Sequence, residues 1–278
     1  MTVGIRPLLK WAGGKRRSAA RIVDLLLAAG ARPHVGYAEP FAGGLAVFCE
    51  LRNRNGLGFN VTIGDINPRL IGFYRGVSED PIAVVRSAND LPIGPDADDY
   101  DAIRQRFNAL PDDADPVEIA ALLAWLNHHG FNGLYRENSQ GKYNTPWNRG
   151  TSRWNPALAE YVEWSDALLR VRLFDRPYWD GLPVDTIYCD PPYCGGFTDY
   201  CGPGWTYVQQ AQLGDWARRM AGHGSIVAVS DRDSPAARAA YQGAQIEILT
   251  VRHGIGGRGK DRRNVDEILA IFGGNYGR

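Results

Sequence analysis

The tetrapeptide Asp190-Pro191-Pro192-Tyr193 carries the side chains of this chain that are best suited to chemistry. It directly follows residues 186–189, an apolar run that predicts a buried strand. The tetrapeptide is therefore expected at the carboxyl end of a strand, where open α/β sheets bind ligands. Two consecutive prolines lack backbone N–H groups and have a fixed φ, so the backbone is rigid and its carbonyls remain free as acceptors.

This combination of an acid, a rigid carbonyl and an aromatic ring suits an exocyclic amine on a flat ring. The Asp190 carboxylate and the Pro191 carbonyl can accept the two N–H bonds of the amine while the Tyr193 ring stacks on the flat ring. We therefore predict that all four residues of the tetrapeptide, Pro192 included, are catalytic.

A second candidate site is the glycine turn at residues 40–44, Pro-Phe-Ala-Gly-Gly, between a predicted strand at 36–39 and a predicted helix at 45–54. A loop that joins the first strand to a helix N-terminus lets a ligand approach the backbone closely. Asp65 lies 22 residues beyond Gly43, at the end of the next predicted strand, about where an acid that binds a ribose lies, ~20 residues on. The turn at 40–44 matches neither phosphate-loop glycine pattern, and the turn alone is also compatible with a purely structural role.

Strands alternate with helices in both halves of the chain, which predicts an α/β fold with a mostly parallel sheet covered on both faces. The predicted strands are residues 36–39, 60–64, 186–189, 226–229, 245–252 and 267–272. Helices are predicted after Asn67-Pro68, over 209–221 and after Ser234-Pro235.

The middle of the chain lacks this alternation. Residues 81–88 and 116–128 are predicted to be helical with a polar segment between them, and a Gly-, Asn- and Arg-rich stretch then extends to Trp154. We therefore predict a discontinuous domain, residues 1–78 and 163–278, interrupted by an inserted, mainly helical domain at 79–162.

Composition narrows the class of protein. A hydrophobic fraction of 44% and a charged fraction of 22% exclude a disordered chain, a coiled coil and a collagen-like repeat. Thirty-one basic and thirty-one acidic residues cancel, but basic clusters occur near both ends and eight acids lie between Asp96 and Glu118. No secretory signal, membrane span, paired-cysteine zinc pattern or H-E-x-x-H motif is visible, so we expect a cytoplasmic protein that uses no metal and no membrane.

Several motifs in order along the chain resemble one family, the Dam-like DNA adenine N6-methyltransferases. The matching motifs are K-W-A-G-G-K at 10–15, P-F-x-G-G at 40–44, D-I-N at 65–67, F-N-G-L-Y-R-x-N at 131–138, D-P-P-Y at 190–193 and D-E-I-L at 266–269. The resemblance implies a Rossmann-like methyltransferase sheet with an inserted target-recognition domain. It also implies a bacterial or phage-encoded enzyme that meets DNA in the nucleoid.

The resemblance further implies S-adenosylmethionine as methyl donor, with S-adenosylhomocysteine as product. The cofactor site it implies consists of Trp11, Lys15, Glu39, Pro40, Phe41, Gly43, Asp65, Ile66 and Asp190. Two of these roles agree with simple chemistry, because Asp65 can accept from ribose hydroxyls and Trp11 can pack against a sulfonium. This chain departs from the family at Leu45, where a small residue is common; its side chain either crowds the cofactor or points into the helix packing.

Double-stranded DNA is the implied partner, and a target base must flip out to reach the enzyme. Within 131–154, Arg136 and Asn138 are candidate base contacts, and Lys142 and Arg149 are candidate phosphate contacts. The full set of expected DNA-binding residues is Asn132, Tyr135, Arg136, Asn138, Lys142, Arg149, Arg258, Lys260 and Arg262. A monomer is expected, with a cognate restriction endonuclease as a candidate partner.

The chemistry of the tetrapeptide alone does not choose among exocyclic amines. Cytosine N4 in DNA and adenine in RNA stay open as substrates, as does a catalytically silent DNA-binding module of the same fold. The flanking motifs favour adenine in DNA.

Overall fold

A computed structural model of the protein describes residues 4–150, 153–177, 184–194, 205–252 and 264–274. Its strands are β1 (Tyr37–Glu39), β2 (Val61–Gly64), β3 (Arg172–Phe174), β4 (Thr186–Cys189), β5 (Ile226–Arg232), β6 (Gln245–Arg252) and β7 (Asn264–Phe272). They form one seven-stranded sheet in the order β3-β2-β1-β4-β5-β7-β6. The first five strands are parallel, and β7 runs antiparallel between β5 and β6.

The central strands are buried on both faces. Every residue of β1, β2 and β4 is buried, as expected for parallel strands covered by helices on both sides. The strand order reverses beside β1, whose neighbours are β2 and β4, so a crevice opens there at the carboxyl edge of the sheet. The predicted Rossmann-like methyltransferase fold is confirmed.

The helices are α1 (Ala19–Ala28), α2 (Ala46–Asn53), α3 (Pro68–Glu79), α4 (Pro81–Asn89), α5 (Ala97–Ala109), α6 (Pro116–His129), α7 (Leu158–Leu168), α8 (Tyr207–Gly222) and α9 (Pro235–Ala240). A short 3-10 turn spans Phe131–Gly133. Two predicted helix starts are confirmed by their caps: Asn67 accepts from the N–H groups of Arg69 and Leu70, and Ser234 accepts from that of Ala237. Within the described ranges, no helix combines the length and the apolar character needed to cross a lipid bilayer.

The polar segment between the helices at 81–88 and 116–128 contains a helix, α5, that the sequence did not predict. Only Tyr100 and Phe107 of this helix are buried, so its sequence shows little apolar periodicity. Its start is instead stabilised by a capping box, in which Asp96 and Asp99 each accept the backbone N–H of the other. Elements α1, α7 and β3 had no counterpart in the sequence-based prediction.

One hydrophobic core extends across the predicted domain boundary. Phe48 and Tyr74, beside the sheet, belong to the same buried cluster as Val84 and Trp125 of the proposed insert. The boundary proposed at 162–163 falls inside α7. Neither the core nor α7 divides at the proposed boundaries. The division into residues 1–78 with 163–278 and an inserted domain at 79–162 stays a prediction.

Candidate active site

Four carboxylates lie at or just beyond the carboxyl ends of the parallel strands. Glu39 ends β1, Asp65 follows β2, Asp190 follows β4, and Asp231 lies near the end of β5. Because parallel strands end at the same edge of the sheet, side chains from four distant stretches of sequence lie along that edge.

The Asp190 carboxylate is held by two donors. Lys15 Nζ lies 2.9 Å from Asp190 Oδ1, and the Tyr193 hydroxyl donates to the same oxygen at 3.3 Å. Lys15 is only 4% exposed; its Nζ also donates to the Gly13 carbonyl at 2.8 Å and lies 4.9 Å from the centroid of the Tyr193 ring. A second carboxylate, Glu267 on β7, approaches Lys15 Nζ to 3.7 Å. One buried cation thus serves two carboxylates, and Lys15 is not part of an exposed basic patch.

Two opposing effects act on the Asp190 carboxyl. Burial is the larger effect and raises the pKa of the carboxyl above its ordinary value, whereas the charge and hydrogen bond of Lys15 and the hydrogen bond from Tyr193 act in the lowering direction. Lys15 therefore favours the ionised form, which accepts hydrogen bonds and donates none.

The glycine turn has the backbone geometry that its sequence requires. Gly43 has a φ of +47°, in the region that favours glycine. A Cβ at this position would lie 3.0 Å from Cδ1 of Trp11, so the indole packs directly on the turn. Tyr74 donates to the Gly43 carbonyl at 2.7 Å and fixes the turn from below.

Asp65 joins the turn to the next strand. Its Oδ2 accepts from the Gly43 N–H at 3.2 Å and its Oδ1 accepts from the Asn67 N–H at 3.0 Å. Burial raises the pKa of this carboxyl to about 6, although the same backbone bonds act to lower it. The neighbouring Ile66 is 75% exposed beside the crevice.

Glu39 lies in a buried environment, and its expected role in cofactor binding stays a prediction. Its carboxylate is buried and accepts from the Tyr37 hydroxyl at 2.7 Å, with a further bond from the Phe48 backbone. Burial raises the pKa of Glu39 to about 8, so the carboxyl is mostly neutral at pH 7. Of the other turn residues, Pro40 is buried and Phe41 packs edge-on against Trp205, with ring centroids 5.7 Å apart.

Leu45 adopts the left-handed conformation, with φ 57° and ψ 39°, at the N-cap of α2. This backbone explains why a small residue suits the position, since a branched side chain is strained there. The side chain is 1% exposed and belongs to the hydrophobic core. Of the two alternatives raised by the sequence, the structure supports packing against the helix.

Six of the expected DNA-binding residues lie on one described hairpin, residues 130–149. It is closed by isolated bridges between Gly130 and Trp147 and between Glu137 and Tyr143. Tyr135 stacks on Trp11 with ring centroids 5.2 Å apart and an interplanar angle of 23°. The hairpin therefore contacts the indole that packs on the glycine turn.

The polar residues of this hairpin differ in what holds them. Arg136 donates from Nε to Asn144 Oδ1 at 2.6 Å and from Nη2 to the Asn144 carbonyl at 2.9 Å, which fixes the direction of its guanidinium. Asn138 Oδ1 accepts from two backbone N–H groups and so shapes the turn. Lys142 Nζ donates to the Asn108 carbonyl at the end of α5, at 2.6 Å.

Asn132 and Arg149 are exposed, and Asn132 has a left-handed φ of 55°. The remaining expected DNA-binding residues, Arg258, Lys260 and Arg262, lie outside the described residues.

Sequence reasoning missed three residues that shape the site. Glu267 was noted only as part of a strand motif, Asn144 only as one polar residue among many, and Asn127 was not singled out. Asn127 carried a signal, since it is a lone amide at the end of the apolar run I-A-A-L-L-A-W-L in α6. Among the described residues, no group of three or more His, Cys, Asp or Glu is placed to hold a metal.

Comparison with known proteins agrees with this geometry. Residues 11–254 match the family of D12 class N6 adenine-specific DNA methyltransferases. The chain belongs to this family. A DNA adenine methylase of Vibrio cholerae is 34% identical over 279 residues, covering 96% of each chain, and that of Escherichia coli K12 is 31% identical over 278 residues, covering 96% of this chain and 95% of the other.

Among solved structures, this chain is similar to the rRNA methyltransferase aviRa from Streptomyces viridochromogenes. That likeness has a TM-score of 0.41 and 14% identity, covers 95% of this chain and 89% of the other, and is too distant to bear on function. As a D12-class methyltransferase the protein is an enzyme, and the family match favours adenine in DNA over the other exocyclic amines.

Proposed function

We propose that this protein transfers a methyl group from S-adenosylmethionine to the exocyclic N6 amine of adenine at a specific site in double-stranded DNA. The observation that carries the proposal is the Asp190 carboxylate, held 2.9 Å from the buried Lys15 at the carboxyl edge of the sheet and beside the glycine turn. S-adenosylmethionine supplies an activated methyl on a sulfonium, so the enzyme needs no nucleophile of its own.

The residues around the crevice fit this cofactor. Gly43 leaves room where a Cβ would press on the indole of Trp11, and Asp65 presents carboxylate oxygens beside the same turn. A carboxylate can accept from ribose hydroxyls, and an aromatic face attracts a sulfonium cation. We assign the cofactor side of the crevice to Trp11, Gly43, Asp65 and the exposed Ile66.

The proposed role of Glu39 is to remain uncharged beside Asp190. Because its pKa is about 8, it adds little negative charge next to Asp190 at pH 7. Asp190 and Lys15 then form the main charged pair on the reacting side.

Asp190 positions the target amine. Lys15 and Tyr193 both bind Oδ1, so we assign Oδ2 as the oxygen that accepts an N–H of the amine. With a second bond to the Pro191 carbonyl, the amine is drawn toward tetrahedral geometry and its lone pair is directed at the methyl. The enzyme contributes positioning and electrostatic stabilisation to an in-line displacement, in which the N–CH3 bond forms as the S–CH3 bond breaks, S-adenosylhomocysteine leaves and the methylated nitrogen loses one proton to water.

Access to the amine requires a flipped adenine, because the duplex hides the reacting atom. Tyr193 is the ring on which the extruded base would stack, and it is half-buried at the mouth of the crevice. The hairpin at 130–149 would read the flanking bases, with Arg136 pre-oriented by Asn144 for bidentate contact with a guanine. Lys142 and Arg149 would contact phosphates.

We further propose that the enzyme acts as a monomer on nucleoid DNA in the bacterial cytoplasm, with a cognate restriction endonuclease as the candidate partner. Sedimentation of the protein with and without duplex DNA tests the oligomeric state, and a dimer in both conditions would contradict it.

The test of the function is transfer of radiolabelled methyl groups from S-adenosylmethionine to two duplexes, one of mixed sequence and one containing only G·C pairs. We expect label only in the mixed duplex and, after digestion, only in deoxyadenosine. Asp190→Ala should incorporate no label, whereas Asp233→Asn, at a half-buried carboxylate paired with Arg238, should behave as wild type. Label in the G·C duplex would indicate cytosine N4, and no label with either duplex would indicate a silent binding module.

A further inference from the structure

Asn127 lies in the last turns of α6 and has an unusual environment for an amide. It is 4% exposed, next to the buried Trp125 and Leu126. Burying an amide is unfavourable unless its hydrogen bonds are made. A buried polar side chain at this position is therefore expected to make specific hydrogen bonds.

The Asn127 carboxamide is bonded on both sides to the backbone of Lys10. Its Oδ1 accepts from the Lys10 N–H at 2.9 Å, and its Nδ2 donates to the Lys10 carbonyl at 2.9 Å. This pair of bonds resembles the one that a neighbouring strand would make. Residues 4–15 have no helix or strand, so Asn127 satisfies backbone groups that no sheet or helix partner does.

The second N–H bond of Asn127 Nδ2 goes to the Gly133 carbonyl at 2.8 Å. Gly133 has a φ of +64°, and the Lys10 side chain occupies the place where a Cβ would lie, with Lys10 Cβ 2.7 Å from that point. Asn127 therefore ties two segments together: the N-terminal segment 10–15 and the hairpin that begins at Gly130.

The N-terminal segment 10–15 contacts both parts of the proposed site. Trp11, the residue after Lys10, packs on Gly43 of the glycine turn and stacks on Tyr135 of the hairpin. Lys15, at the other end of the segment, holds Asp190. A displacement of the Lys10 backbone would move the Trp11 indole. Its contact with the glycine turn and its contact with the hairpin would then change at the same time.

We propose that Asn127 is a positioning residue that couples cofactor binding to DNA binding, by holding the Lys10 backbone and the Gly133 turn in one register. The inference rests on the proposed function, because it assumes that the crevice binds S-adenosylmethionine and the hairpin binds DNA. Asn127 touches neither ligand, so its effect acts through Trp11 and the hairpin.

The measurement is the ratio of two dissociation constants for S-adenosylhomocysteine, determined by calorimetry without and with a saturating mixed-sequence DNA duplex. For the wild-type protein we expect DNA to tighten S-adenosylhomocysteine binding at least about fivefold, the lower end of ordinary coupling between sites. In Asn127→Asp, of equal size, the two bonds to carbonyls become repulsions, and the ratio should fall to about one. Asn127→Ser, which leaves space for water, should give the same loss if the first variant does not fold.

A matched control comes from the residues that lead into the N-terminal segment 10–15. Asn53 Nδ2 donates to the Ile5 carbonyl at 3.0 Å, so Asn53→Asp disturbs the backbone just before that segment without touching the hairpin. We expect this variant to keep the wild-type ratio.

A ratio near one in the wild-type protein, an unchanged ratio in the folded Asn127 variants, or an equal loss in Asn53→Asp would each overturn the inference. Absence of binding of either ligand to the wild-type protein would overturn the proposed function instead. Binding of both without coupling overturns this inference alone.

Discussion

Lowering the pH from 7 to 5 should weaken the binding of S-adenosylmethionine about tenfold, through Asp65. The pKa of this carboxyl is about 6 in the free protein because it is buried beside the glycine turn. The ionised form offers acceptor oxygens to ribose hydroxyls, whereas the protonated form replaces one acceptor with a donor. If only the ionised form binds well, a proton competes with the cofactor.

The magnitude follows from one titration. With a pKa of about 6, the carboxyl is mostly ionised at pH 7 and only about a tenth ionised at pH 5. Affinity then falls about tenfold, or about 1.4 kcal/mol, and the loss occurs as the pH falls through the folded pKa. Glu39, with a pKa of about 8, is largely protonated at both pH values and contributes little to the change.

The assay is calorimetry or tryptophan fluorescence with S-adenosylmethionine at half-unit steps between pH 5 and pH 7. Asp65→Asn should bind weakly at pH 7 and lose the pH dependence. Asp175→Asn should keep it, since Asp175 is an exposed carboxylate just after β3 that pairs with Arg75 at 3.2 Å. A wild-type affinity that changes less than about twofold, or a full tenfold loss retained in Asp65→Asn, would refute the reasoning.

Three further predictions concern stability, the turn and recognition. Asp96→Ala removes the capping box of α5 and should lower the free energy of unfolding by about 1 kcal/mol, which calorimetry should show as a fall in Tm of about 2–4 °C. Methylation at 20 °C should stay unchanged, and an unchanged Tm would contradict the role of the cap. Gly43→Ala should weaken cofactor binding, measured by calorimetry, about fivefold or more. A left-handed φ costs an L-residue about 1–2 kcal/mol, and the new Cβ presses on Trp11. Equal affinity would show that the turn tolerates a side chain. Arg136→Ala should relax sequence preference in methylation of a random-sequence DNA library, and Asn144→Ala should do so more weakly; unchanged preference in both would exclude base reading by this pair.

The sequence predicted which residues lie at the carboxyl edge of the sheet because the signals for that edge are local. A strand followed by a rigid acid-bearing turn indicates a carboxyl end, and this rule places Asp65 and Asp190 correctly. Asn67 and Ser234 are recognisable as helix starts because capping depends on residues only two or three positions away.

What the sequence could not predict depends on contacts between distant residues. Lys15 belongs to a basic cluster along the chain, yet it is buried against Asp190, 175 positions away. Asn127 stands out as a lone amide after an apolar run, but nothing near it indicates that its partner is Lys10, 117 positions away. Helix α5 was missed because its stability comes from its cap and from packing on α6 rather than from apolar periodicity.

The backbone at Leu45 shows a related limit. Its sequence position suggested two directions for the side chain, and only the left-handed φ together with the packing of α2 decides between them.

The central claim is that Asp190 positions the adenine amine, and a single-turnover experiment tests it most directly. Enzyme saturated with mixed-sequence duplex and S-adenosylmethionine is quenched over time, and N6-methyladenine is quantified by mass spectrometry of the nucleosides. We predict that wild type forms N6-methyladenine in one burst, and that Asp190→Asn slows this step at least about a hundredfold while binding DNA with unchanged affinity. A wild-type rate in Asp190→Asn, or methyl groups found on cytosine alone, would contradict the account.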